Sequence, residues 1–267
     1  MQHHWGSGLV HPTDKDLPGL KFKYVYDWIK DKKGTLLEIG CGSCKILRSI
    51  RHYNNDIKLY GVDIDRNQIL NTPHLENTSL FIEDGTKLHF EDNFFDNVLV
   101  SDYLEHIDDI EIALKEIRRV LKKDGEFSCF IPIEGETFSA YTASRMLFGK
   151  DVFWKTKDHK RAYKKSEVMD IVKKYFIIKD VKYSYHLIGH TMDAILFTLT
   201  LNKKIAKLFW SENKYYNEKP KKSLLSKTFN ICMSAANYIA YVESILLKNL
   251  KVGASGVHLI LERKSDG

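Results

Sequence analysis

The stretch LLEIGCGSCK, Leu36 to Lys45, constrains this chain more than any other. A short apolar run ends in glycines spaced by one residue and passes straight into the helical pattern Lys45 to Ile50. That order of strand, glycine turn and helix lets a backbone approach a nucleotide-like ligand closely. The rest of the chain reads as a sheet built around that turn.

Further strands are predicted at Ile57 to Asp63, Ser79 to Asp84, Phe94 to Ser101 and Glu126 to Pro132, with helices at Asp65 to Leu70 and Asp109 to Leu121 between them. FFDNVLVS is almost continuously apolar, as suits a central parallel strand covered on both faces. Lys122-Lys123-Asp124-Gly125 reads as the basic last turn and stop of the helix before the fifth strand. A helix over Ser166 to Lys174, a strand over Tyr175 to His186 and a final strand GVHLILER, Gly256 to Arg263, complete the pattern. The expectation is an α/β, doubly wound Rossmann-like sheet of seven strands with the last antiparallel. Its parts are residues 1–33 as an N-terminal cap over the open edge of the sheet, 34–188 as the core, 189–254 as a helical insertion between the last two strands, and 255–267 as the final strand.

A sheet of this kind holds ligands at the carboxyl ends of its strands. Gly40 and Gly42 permit close approach, Asp63 can accept from vicinal ribose hydroxyls, and Asp84 can accept from an exocyclic amine. A dinucleotide fingerprint would place a third glycine where Lys45 stands, and Glu38 would set negative charge beside a pyrophosphate. These two residues argue against a nicotinamide-dependent reductase. A carboxylate before the glycines suits a ligand with a cationic end, and S-adenosylmethionine carries an ammonium and a sulfonium with no phosphate.

LLEIGCGSCKIL resembles the first motif of the class I S-adenosylmethionine-dependent methyltransferases. GVDID resembles their second motif, IEDGTKLHFEDNFFDNVLVSDYLEHIDD the third-and-fourth block, and EIRRVLKKDGEFSCFIP the helix and strand that follow. The resemblance implies S-adenosyl-L-methionine as cofactor, with Glu38, Gly40, Cys41 and Gly42 at its methionyl end. It further implies Asp63 and Ile64 at the ribose, Asp84 and Gly85 at the adenine, and Ser101 alongside. The common motif has glycine where Cys44 stands, a departure that bears on how tight the turn is. His106, just past the fourth strand, is the first candidate base for a hydroxyl acceptor, and His159 is a second residue expected to face the acceptor; packing and capping roles compete for both. Glu105 is a weaker candidate.

No metal is expected. Cys41 and Cys44 have the spacing of half a zinc or redox site without a second half, and His186, His190 and Asp193 are interrupted by Gly189. The N-terminus lacks a basic and apolar leader, and no apolar run is long enough to span a bilayer. A cytoplasmic protein with reduced thiols is expected. The net charge of +6 is concentrated between residues 190 and 251, where ten lysines face Asp193, Glu212, Glu218 and Glu243. Leu225, Phe229, Cys232, Ala236, Ile239, Leu246 and Leu250 follow three- and four-residue steps, and Ile231, Ala235, Tyr238, Val242 and Ile245 form a second stripe. Internal packing of this helix is the favoured reading. The lysines with Phe209, Trp210, Tyr215 and Tyr216 also fit peripheral membrane contact through 203–250. No nucleic-acid module is present, so nucleic acid is not an expected partner. The expected activity is methyl transfer, to oxygen in preference, onto a small or lipid-linked acceptor such as a glycan, glycolipid or quinone precursor. The competing reading is a non-catalytic adenosyl-binding module whose insertion is a docking surface.

Overall fold

The computed structural model describes residues 8–136, 142, 146, 159–199, 202 and 224–264. The aromatic stretch expected around Phe138, Tyr141, Phe148, Phe153 and Trp154, and most of the lysine-rich segment with Phe209, Trp210, Tyr215 and Tyr216, lie outside the described residues.

In chain order the elements are α1 (Leu17–Ile29), β1 (Gly34–Ile39), α2 (Lys45–Tyr53), β2 (Ile57–Asp63), α3 (Arg66–Leu70), β3 (Thr78–Ile82) and β4 (Phe95–Ser101). A 3₁₀ turn (Leu104–His106), α4 (Ile110–Val120), β5 (Leu121–Pro132), α5 (Lys165–Tyr175), β6 (Phe176–Ser184), α6 (Leu187–Leu199), α7 (Leu224–Leu246) and β7 (Gly256–Arg263) follow. The seven strands form one sheet in the order β3-β2-β1-β4-β5-β7-β6. β1 to β5 run parallel, and β7 pairs antiparallel with both β5 and β6. The expected fold class is therefore the observed one.

β1 is the hub because Leu36, Leu37 and Ile39 are all fully buried, one sheet face taking Leu36 and the other Leu37 and Ile39. Ile117, Leu114 and Val120 of α4 and Val168 and Val172 of α5 cover one face. Phe22, Val25 and Ile29 of α1 join Leu47 and Ile50 of α2 over the other. Residues 1–33 were expected over the open edge, yet α1 is a layer helix lying on a sheet face. Asp16 caps it by accepting from Gly19 N at 2.9 Å, and Trp28 Nε1 donates to Glu126 Oε2 on β5 at 2.7 Å.

One sequence boundary needs correction. α4 stops at Val120 with Arg118 and Arg119 in its last turn, and Leu121 already pairs with Phe95 of β4. Lys122 to Gly125 fall within the span of β5, in a register shift between the pairs Phe95–Leu121 and Asn97–Glu126, where Lys122 Nζ reaches Asp96 Oδ1 at 2.6 Å. Asp96 in turn accepts from Thr35 N at 2.9 Å and Thr35 Oγ1 at 2.8 Å, so one carboxylate joins β1, β4 and β5 at their starts.

Candidate active site at the strand ends

The order in which strands join the sheet reverses between the parallel neighbours β1 and β4, so the crevice that receives ligands opens beyond the carboxyl ends of these strands. Gly40 N and Cys41 N both donate to Val62 O, at 2.9 and 3.1 Å, so the backbone peels off β1 while still tied to β2. Gly40 at φ +73° and Gly42 at φ +50° then take left-handed conformations that a side chain would strain. Cys44 adopts the same conformation at φ 55°, where glycine was the expected residue. The turn is as tight as the motif requires, reached at the cost of a left-handed cysteine.

Asp63 closes that turn. Its Oδ2 accepts from Gly42 N at 2.7 Å and its Oδ1 from Asp65 N at 2.8 Å. A carboxylate has about four acceptor positions, so roughly two remain for hydroxyl donors. Ile64 beside it is 73% exposed, an apolar shelf at the end of β2. Asp84 lies two residues past the end of β3, where its Oδ1 accepts from Thr86 N at 2.9 Å and Thr86 Oγ1 at 2.7 Å. Ser101 Oγ donates to Asp102 Oδ2 at 3.3 Å, and Asp102 also pairs with Lys21 of α1.

Glu38 is buried at the end of β1, and its Oε2 has no hydrogen-bond partner. Burial, then the neighbouring Cys44 and Asp63, push its carboxyl well above the usual range. The Leu47 backbone N–H donates to this carboxyl, and its second oxygen, buried without a partner, is costly unless a cation or donor meets it. Tyr103, which sequence reasoning overlooked, fills the space between two glycines: a Cβ on Gly40 would stand 2.7 Å from its Cδ2, and one on Gly85 2.6 Å from its hydroxyl. That hydroxyl is buried without a partner, and burial raises its pKa.

Residues 37–129 match the family profile described as a methyltransferase domain. The fold is that of the class I S-adenosylmethionine-dependent methyltransferases. Over 109 residues the chain is 34% identical to demethylmenaquinone methyltransferase of Staphylococcus aureus, covering 37% of this chain and 45% of that protein. The chain thus spans less than half the length of the curated relatives it matches. Phosphoethanolamine N-methyltransferase 2 of Haemonchus contortus, solved with S-adenosyl-L-methionine, shares the fold with a TM-score of 0.53 at 14% identity, covering 92% of this chain and 53% of that one. The [4+2]-cyclase SpnF shares it with a TM-score of 0.58 at 16% identity, covering 91% of this chain and 80% of that one. A methyltransferase fold therefore does not by itself fix the reaction.

On this methyltransferase fold the two candidate histidines come together from distant parts of the chain. His106 ends the 3₁₀ turn after β4, and His159 precedes α5; their ring centroids are 5.1 Å apart at 80°. His159 Nδ1 lies 2.9 Å from Oε2 of the buried Glu134, just past β5. Between the two histidines is Glu105, 1% exposed, with neither carboxylate oxygen hydrogen-bonded. Burial, followed by the charge of Asp102, pushes its pKa up to about 8. The chain thus carries a group able to exchange a proton near neutral pH at the crevice mouth.

Cys41 and Cys44 are free thiols with sulfurs 3.5 Å apart. The hydrogen bond between them raises the Cys41 pKa and lowers that of Cys44. His186, His190 and Asp193 stay apart from this site on the α6 side. His186 Nε2 donates to Leu250 O at 2.9 Å, a structural bond, and the side chain of Asp193 lies outside the described residues.

The helix following α6 overturns one expectation. Among the described side chains of α7 the buried positions are Ala240 and Ser244, whereas Ile239 and Leu246 of the first apolar stripe are 52% and 75% exposed and Ile231 of the second is 69% exposed. The described large residues of the first apolar stripe, Ile239, Leu246 and Leu250, are not packed inward, because α7 meets α6 through small residues: a Cβ on Gly189 would lie 3.7 Å from the Ala240 Cβ. No helix among the described residues is long and apolar enough to cross a membrane.

Proposed function

We propose that this chain is an S-adenosylmethionine-dependent methyltransferase acting on the oxygen of a small or lipid-linked acceptor, a quinone precursor before a glycan or glycolipid. The observation that carries the reading is the β1–α2 turn. Its left-handed glycines, its closing Asp63 and the unpartnered Oε2 of buried Glu38 make a cradle that suits a cationic hydrogen-bond donor and makes no provision for a pyrophosphate. S-adenosylmethionine supplies a methyl group already activated by its sulfonium. In this reading Glu38 receives the ammonium end, with Gly40, Cys41 and Gly42 giving backbone access to it. Asp63 takes the ribose hydroxyls with Ile64 beside it, and Asp84 and Gly85 line the adenine. Ser101 and Tyr103 flank the bound molecule, and Tyr103 turns away to admit it.

Methyl transfer needs alignment of an acceptor lone pair more than it needs functional groups, so a rigid cradle supplies much of the acceleration. A hydroxyl acceptor also has to lose a proton, a task within reach of Glu105 or His106 at the crevice mouth. The quinone preference draws on the named activity of the Staphylococcus aureus relative. Incubating the protein with methyl-labelled cofactor and a lipid and small-molecule extract should transfer label to one acceptor, identified by mass spectrometry. Binding of S-adenosylhomocysteine without any labelled product would favour an adenosyl-binding module instead.

A second reading, of membrane contact, is favoured by the outward apolar face of α6 and α7. Leu187, Ile188 and Ile195 join Ile231, Ile239 and Leu246 there, with the exposed Lys248 and Lys251 beside them. That composition fits an element resting on an anionic bilayer surface. Ile231→Ser, Ile239→Ser and Leu246→Ser combined should abolish co-sedimentation with anionic phospholipid vesicles. Unchanged sedimentation would sink the idea.

A further inference from the structure

We propose that Glu105, His106 and His159 bind one divalent transition-metal ion, of the zinc class, at the crevice mouth, with Glu134 orienting His159. Their donor atoms all lie within 4.8 Å of one another, and no other such group occurs among the described residues. Tetrahedral coordination with metal–ligand bonds of about 2.0–2.2 Å sets donors roughly 3.3–3.6 Å apart. His106 Nε2 and Glu105 Oε1 are already 4.0 Å apart. From a spread of at most 4.8 Å, closure to that spacing takes a shift of about 1 Å between donors, which side-chain rotation can supply.

Two independent observations point to a cation here. The first is the Glu105 carboxylate, buried with both oxygens lacking a hydrogen bond and facing the two imidazoles. Such a group is costly to keep unless a positive charge meets it. The second is the Glu134–His159 pair at 2.9 Å, the arrangement in which a carboxylate takes one ring nitrogen and fixes the ring for a metal. Glu134 engages Nδ1, and the proposal gives Nε2 to the ion. The donors are held in place by backbone: Lys160 N donates to Glu105 O at 2.8 Å, and Gly135 N to Tyr163 O at 2.9 Å. The segment carrying His159 is thereby tied to both the 3₁₀ turn and the end of β5.

Donor chemistry selects the ion. Two imidazoles with one carboxylate suit zinc, cobalt, manganese or iron, whereas magnesium and calcium take oxygen ligands. Three protein ligands leave a coordination position open, as in sites that engage a substrate. An acceptor hydroxyl coordinated there would release its proton to water and present an anionic oxygen. That role rests on the methyl-transfer reading; binding of the ion does not.

The test uses the full chain after chelator dialysis, titrated with Zn²⁺ by calorimetry and with Co²⁺ by visible absorption. One equivalent should bind, with ligand-field bands from Co²⁺. His106→Ala, at a half-buried position, and Glu105→Gln should each weaken binding at least tenfold. Glu134→Gln should weaken it about tenfold, as loss of an orienting carboxylate does. Circular dichroism checks that each variant is folded. Absence of saturable binding, or equal binding by the folded His106→Ala and His159→Ala variants, would overturn the site; the second result would place the ion on other histidines. S-adenosylhomocysteine affinity measured on the metal-free protein tests the methyltransferase reading separately.

Discussion

The β1–α2 turn and the α6–α7 helix pair use polar and apolar side chains in opposite ways. At the turn a charged side chain is held by backbone: Asp63 spans Gly42 N and Asp65 N, and the chain direction follows from those two bonds. Across α6 and α7 the polar and small residues are inside. His190, Ala194, Ala240 and Ser244 are buried, and Leu187, Ile231, Ile239 and Leu246 face outward. The first arrangement is local, dictated by what one turn of backbone can do. The second depends on how closely two helices approach, which Gly189 and Ala240 decide from positions far apart in the chain. A region can thus be strongly patterned and still be turned inside out relative to its apolar stripe.

The largest expected effect breaks the turn. Asp63→Ala removes two hydrogen bonds to a charged acceptor, each worth about 1.5–3 kcal/mol. S-adenosylhomocysteine affinity should fall by about a hundredfold or more, since roughly 2.7 kcal/mol corresponds to that factor. Calorimetry on the folded variant decides it: wild-type affinity would mean that the turn does not organise the adenosyl site.

The contrast also explains what could be read from the sequence. All seven strands, as they follow along the chain, and the turn were legible because period, length and glycine spacing are local properties. Glu38, Asp63 and Asp84 could be placed at strand ends for the same reason. Tyr103 was not, since its position depends on two glycines from different strands. Glu134 was missed because its partner, His159, is brought to it only by the segment preceding α5. His106 and His159 were singled out separately, but no spacing signals that they share a buried carboxylate. The orientation of α7 failed for a different reason: an apolar stripe reports that a face avoids water, without telling a protein interior from another apolar surface.

A smaller effect probes the helix pair. Glu243 of α7 caps α6, accepting from Ile188 N at 3.0 Å and Gly189 N at 3.1 Å. A carboxylate at a helix N-terminus satisfies orphan donors and complements the dipole. Glu243→Ala should cost about 1–2 kcal/mol in urea unfolding, with faster hydrogen exchange at Ile188 and Gly189 than elsewhere in α6. Uniform exchange along the helix would mean that packing at Gly189 and Ala240 alone holds the pair.

The smallest effect tests how the strands beside that pair tolerate a buried polar group. His258 of β7 is enclosed by Tyr24 and Phe130, and its Nε2 shares a 2.7 Å hydrogen bond with Ser184 Oγ on β6. Burial first, then Lys21 and Lys182, hold its pKa well below the ordinary value, so the folded chain keeps it neutral. Below the unfolded pKa of about 6.5 the unfolded chain takes up a proton that the folded one refuses. Stability is therefore lost as pH falls through that value, by about 0.8 kcal/mol at pH 6 from this residue alone. His258→Gln can keep a bond to Ser184 but has no proton to gain, so its stability should fall less steeply between pH 7 and 5.5. Parallel pH profiles for the two proteins would show that His258 titrates alike in both states, and that the polar interior on this side is wetter than its burial implies.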